Sequence, residues 1–90
     1  MSDRQRLDVW LFRARLSKTR AEAARMIGEG GVRLMRDGGS RRVEKASVEV
    51  GVEDALLIPA RGRIRTIRVR GLGARRGPPA EARTLYTEED

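Results

Sequence analysis

The spacing of apolar residues changes character at Gly28-Glu29-Gly30-Gly31, and that change restricts the chain to a fold that uses both helices and strands. Before it, Leu7, Trp10, Leu11 and Ala14 fall at i, i+3, i+4 and i+7, the stripe of an amphipathic helix from about Arg6 to Arg15. Thr19-Arg20-Ala21-Glu22 then reads as a capping box, opening a second helix over about Arg20 to Gly28. Its small apolar positions Ala23, Ala24 and Ile27 suit close packing on the first helix, and the glycines end it by allowing left-handed backbone angles.

Beyond the glycines the pattern alternates. Val32 to Met35 reads as a strand, Asp37-Gly38-Gly39-Ser40 as a turn, and Arg42-Val43 as the returning strand of a hairpin. Val48, Val50 and Val52 suggest a further strand, and Ala55 to Ile58 another, closed by Pro59. In Arg63 to Arg70 the apolar residues switch parity between Ile64 and Ile67, which predicts a bulge near Arg65-Thr66 or a strand that begins at Thr66. The Gly/Pro-rich stretch from Gly71 to Pro79 has linker composition. The organisation expected is therefore an α+β domain over residues 1–70, two helices on a small bent antiparallel sheet, followed by a tail over 71–90. Loss of that tail is expected to leave the domain folded.

The 90 residues carry 20 Lys and Arg against 13 Asp and Glu, a net charge of +7, which points to a polyanionic partner. The excess is uneven: residues 1–45 carry +6 and residues 46–90 carry +1. Absence of Cys and His removes disulfides, thiolate metal sites and the usual general base, so neither catalysis nor a metal or other cofactor is expected. No apolar run is long enough for a membrane span or a signal peptide, which makes a cytoplasmic protein without a membrane partner the expectation. Trp10, Phe12 and Tyr86 are the aromatic residues, too few for a base-stacking platform.

Arg6, Arg13, Lys18, Arg20 and Arg25 lie on the two helices and their connection, where few acids are near enough to neutralise them. Phosphate recognition by guanidinium groups and by the second helix's amino terminus fits this pattern. The arginines of Arg63–Arg70 are expected mainly to protect a sheet edge. A helix–turn–helix DNA regulator is the main rival, but its second helix would offer small alanines and no Asn or Gln to read adenine. An RNA-modifying enzyme would need a catalytic domain from a partner chain.

Arg6-Leu7-Asp8-Val9-Trp10-Leu11, Lys18-Thr19-Arg20, Ala23 to Ile27, Gly30 to Arg33 and Val43 to Ser47 together resemble the S4-type, or alpha-L, RNA-binding domain. Arg75 to Ala82 with Leu85-Tyr86 is similar to the small ribosome-associated heat shock protein 15 family within it. The resemblance implies binding of structured RNA, foremost ribosomal RNA of the large subunit and alternatively tRNA, in rescue of subunits that retain a nascent chain; a monomer is expected. It implies RNA contacts at Arg6, Arg13, Lys18, Thr19, Arg20, Arg25, Arg33 and Lys45, with Thr19 also read as a cap. Ala46 stands where that pattern usually has proline, and Glu53 where glycine usually precedes Asp54.

Overall fold

The computed structural model describes residues 3–89. Strand β1 (Gln5–Arg6) leads into α1 (Leu7–Arg13), and α2 spans Arg20–Gly28. The hairpin is β2 (Arg33–Arg36) and β3 (Gly39–Arg42); β4 is Glu49–Val50, β5 Ala55–Ala60 and β6 Arg63–Val69. A short helix α3 (Pro79–Ala82) and one 3-10 turn (Arg83–Leu85) precede β7 (Tyr86–Glu89). An antiparallel sheet in the order β3-β2-β5-β6-β7 forms the main layer, and β1 pairs with β4 separately. This is the α+β arrangement expected from the change of period.

Register explains where the core sits. Leu34, Leu56 and Ile67 are direct cross-strand partners and share one face, with Ile58 and Val69 two residues away along their strands. All five are 2% exposed or less, and they pack with Leu7, Trp10, Leu11, Ala23 and Ile27 of the helices. Burying such side chains contributes roughly 1.5–3 kcal/mol each. On the opposite face the corresponding rung is Arg33, Leu57, Thr66 and Glu89.

Local chemistry sets the ends of the helices. Leu16 N–H donates to Leu11 O (2.9 Å) and Arg15 N–H to Phe12 O (3.1 Å), with Arg15 at φ 60°, the Schellman closure of α1. Thr19 Oγ1 accepts Glu22 N–H at 3.0 Å, as the capping box requires, but the Glu22 carboxylate takes Lys18 N–H (3.2 Å), one residue before the cap. Asp37 and Gly38 both have positive φ (52° and 79°), the left-handed pair that a two-residue hairpin turn demands.

Three strand expectations need correction. Strand β6 runs without a bulge, in unbroken register with β5 from Ala55↔Arg68 to Ala60↔Arg63. Ile64, whose parity suggested the bulge, points to the outer face and is 69% exposed. Pro59 does not close β5. In the hairpin of β5 and β6 it falls at a pair without hydrogen bonds, so its missing N–H would face the β2 side, where pairing has already ended at Arg33↔Leu57. Around Val48–Val52 the ladder is two residues long, because Asp54 N–H donates to Gly51 O (3.1 Å) and turns the chain.

The segment read as a tail is integral to the sheet. Gly71 O accepts the Trp10 indole N–H at 2.8 Å, and Gly73 O accepts from Gln5 (2.9 Å) and Arg13 (2.7 Å). Gly73 needs its bare Cα: a Cβ there would lie 3.0 Å from both Arg13 Cβ and Leu85 Cδ1. Strand β7 then pairs along β6, and Tyr86 meets Trp10 edge to face at 6.5 Å.

Asp54 supplies a second anchor. Its carboxylate accepts Gly51 N–H (2.8 Å) and both prongs of the Arg36 fork (2.9 and 2.7 Å). Burial alone would push this carboxyl up, but the Arg36 and Gly51 hydrogen bonds and the charges of Arg36 and Arg4 hold it below the usual carboxylate range.

Two outcomes are expected. Deletion of residues 71–90 should lower unfolding free energy by at least about 3 kcal/mol, since it strips β6 of its neighbour and leaves a buried indole donor without a partner; chemical denaturation measures this. Asp54→Asn should cost about 1–3 kcal/mol at pH 7. Because the folded pKa is depressed, that stabilisation is complete above the unfolded value of about 4 and fades as pH falls through the folded value. Denaturation curves of wild type and variant should therefore converge in acid.

Candidate nucleic-acid interface

Asp8 organises the basic face. It lies in the first turn of α1, its side chain is 6% exposed, and its Oδ1 accepts Val9 N–H at 2.8 Å. Arg6 places its fork on both carboxylate oxygens at 3.1 Å, and Arg20 reaches the same Oδ2 at 3.6 Å from the start of α2. One buried carboxylate thus holds two guanidinium groups from different elements side by side, each about half exposed. Two positive charges against one leave the cluster cationic, and each fork retains outward donors. Sequence spacing showed Asp8 as a nearby acid; its role was missed because Arg20 lies twelve residues away.

Lys18 and Thr19 precede Arg20 directly, so the free N–H groups at the head of α2 lie beside these cations. Thr19 is committed to its cap. Arg25 has a loose, exposed partner in Glu29 at 3.7 Å. Lys18, Arg25 and Arg61 line one shallow depression together with Glu22 and Glu29. Arg61 was not among the sequence candidates; it reaches this place because Arg61-Gly62, both at positive φ, form the tight turn between β5 and β6.

Three candidates lie apart from that group. Arg13 is turned to the carboxy-terminal segment, where its Nη1 holds Gly73 O at 2.7 Å. Arg33 donates to Ser40 Oγ (3.3 Å) across the hairpin, beside the exposed Arg41 and Arg42 of β3. Lys45 is exposed in the connection after β3. Among the described residues Lys18, Arg33, Arg41, Arg42, Lys45 and Arg61 form no ion pair.

Strand β6 is different. Arg65 binds Glu88 through two hydrogen bonds (2.9 and 2.7 Å), Arg63 reaches Glu88 at 3.4 Å, Arg68 reaches Glu89 at 3.0 Å, and Arg70 reaches Glu53 at 2.7 Å. Every arginine of the strand is paired. Among the described residues no group of three or more acidic side chains is arranged to hold a metal ion.

The S4 domain family model matches residues 5–34, which span β1, α1, α2 and the entry to the hairpin. No curated protein sequence matches the chain. Among solved structures, the chain is similar to the trimeric heat shock protein 15 of Vibrio cholerae, with a TM-score of 0.83 and 30% sequence identity over 97% of this chain and 83% of that one. Identity at that level across most of both chains, with the family match on the segment that holds the Asp8 cluster and Lys18, means that the protein belongs to the S4 RNA-binding-domain family, in its heat shock protein 15 type.

Proposed function

We propose that the protein binds folded ribosomal RNA through backbone phosphates, using the face built from α1, the head of α2 and the β2–β3 hairpin. The observation that carries this reading is the segregation of ion pairs. Arg65, Arg68 and Arg70 are each matched by a different carboxylate of the chain, whereas Arg6 and Arg20 share one, and Lys18, Arg33, Arg41, Arg42 and Lys45 have none among the described residues. Solvated cations left without acids attract phosphates and release counterions on binding.

In this reading Arg6 and Arg20 grip adjacent phosphates from their shared carboxylate. Lys18 and the free N–H groups of α2 take a third, and Arg25, Arg33 and Lys45 extend the footprint. Arg13 contributes by holding the Gly73 segment against α1 and retains donors for a phosphate nearby. Thr19 acts through its cap. The heat shock protein 15 type supports the large ribosomal subunit as the cytoplasmic target, with a role in rescuing subunits that retain a nascent chain. One copy supplies every group of the face, so a monomer suffices.

Substitution by position tests this. Lys18→Ala, Arg20→Ala and Arg25→Ala combined should weaken binding to a folded ribosomal RNA fragment by about 2–4 kcal/mol, at roughly 1 kcal/mol per charge-assisted contact. Arg65→Ala, Arg68→Ala and Arg70→Ala combined remove equal charge and should cost less than about 1 kcal/mol, through potential that salt screens over about 8 Å. Fluorescence anisotropy at physiological salt measures both. Equal losses, or a larger loss for the strand variant, would contradict the helical-face assignment.

A further inference from the structure

We infer that the arginines along β6 are a second set of phosphate-binding groups, held closed by carboxylates of the chain itself, and that their alternative ligand is the RNA backbone. The inference rests on the reading of the protein as an RNA binder and adds a covered site to it. Four arginines lie within eight residues of β6 and the position after it, and every one meets an internal acid. Glu88 and Arg65 meet in a fork, the geometry by which a guanidinium also takes a phosphate. The Arg65 hydrogen bonds hold the Glu88 carboxyl below the usual carboxylate range, so at neutral pH Glu88 stays charged.

The cover approaches from two directions. Glu88 lies on the helix-facing side of the sheet with Arg63 and Arg65, and Glu89 on the outer side with Arg68. Glu53 comes from elsewhere in the chain. It sits at φ 79°, a conformation that costs a side chain with a Cβ, and both of its polar groups are used on this strand: its carbonyl accepts from Arg68 (2.9 Å) and its carboxylate from Arg70 (2.7 Å). Strand β6 lies inside the sheet between β5 and β7, so its arginines protect no edge, and three acids serve the four of them. The Arg68–Glu89 and Arg70–Glu53 pairs are partly solvent-exposed and individually weak, so a polyanion can exchange with them once the acids are neutralised.

The test is the triple substitution Glu53→Gln, Glu88→Gln and Glu89→Gln in the full chain, which keeps shape and hydrogen-bond acceptors while removing the negative charges. Amide resonances of wild type and variant are followed by NMR as an RNA duplex of two helical turns is added. In wild type, shifts are expected around Lys18, Arg20 and Arg25 with β6 unmoved. In the variant, a second set should appear along Arg63–Arg70, with affinity at low salt raised about three- to tenfold. Absence of β6 shifts in the variant would overturn the inference, as would β6 shifts of equal size in wild type. Glu53→Gln alone, expected to produce shifts confined to Arg68–Arg70, provides the same decision if the triple variant unfolds. Absence of wild-type shifts at the helices would refute the helical-face reading, while β6 in the variant would still decide the covered site.

Discussion

The burial of Trp10 joins the two ends of this chain, and most other features depend on that join. Its indole is fully buried on the sheet, its N–H donates to Gly71 O, and its ring meets the edge of Tyr86. A buried indole N–H without a partner would cost about 1–3 kcal/mol, so residue 71 is fixed as firmly as the core. With Gly71 fixed, Gly73 and Gly77 lie under Arg13 and Arg15 (2.7 Å each), and Arg76 stacks on Phe12 at 5.0 Å. Several arginines of α1 and the chain end are thus spent on structure, and β7 is delivered to the free side of β6.

Delivery of β7 divides the arginines into two populations. A guanidinium in a fork with a carboxylate presents little net charge to a passing phosphate, whereas one without an acid presents a full charge and up to five donors. Residues 46–90 are close to neutral, and Glu53, Glu81, Glu88 and Glu89 lie beside their arginines. Residues 1–45 are strongly basic, and their most buried acid, Asp8, gathers two arginines and neutralises one charge. The side of the molecule that attracts RNA follows from where the acids are, more than from where the arginines are.

Helices, cap and hairpin were legible in the sequence because local spacing produces them: the Leu7 to Ala14 stripe, the Thr19 hydroxyl three residues before Glu22, and the Asp37-Gly38 turn. What escaped the sequence depends on contacts between distant residues. Linker composition at 71–79 conceals carbonyls that Gln5, Trp10 and Arg13 require. Ile64 suggested a bulge because an apolar residue was assumed to face the core, yet it lies outside in regular register. Lys18 and Arg25 could be named from their places beside and on α2, while Arg61 joins them through a turn some forty residues on.

The central claim, that the excess cations of the helical face bind RNA phosphates, is tested most directly by affinity for a folded ribosomal RNA fragment as salt is raised. Each phosphate contact releases counterion and contributes about 0.7–0.9 to the fall of log K with log salt. Four to six contacts on this face give a slope of roughly −3 to −5. A slope near zero between low and physiological salt would contradict the account.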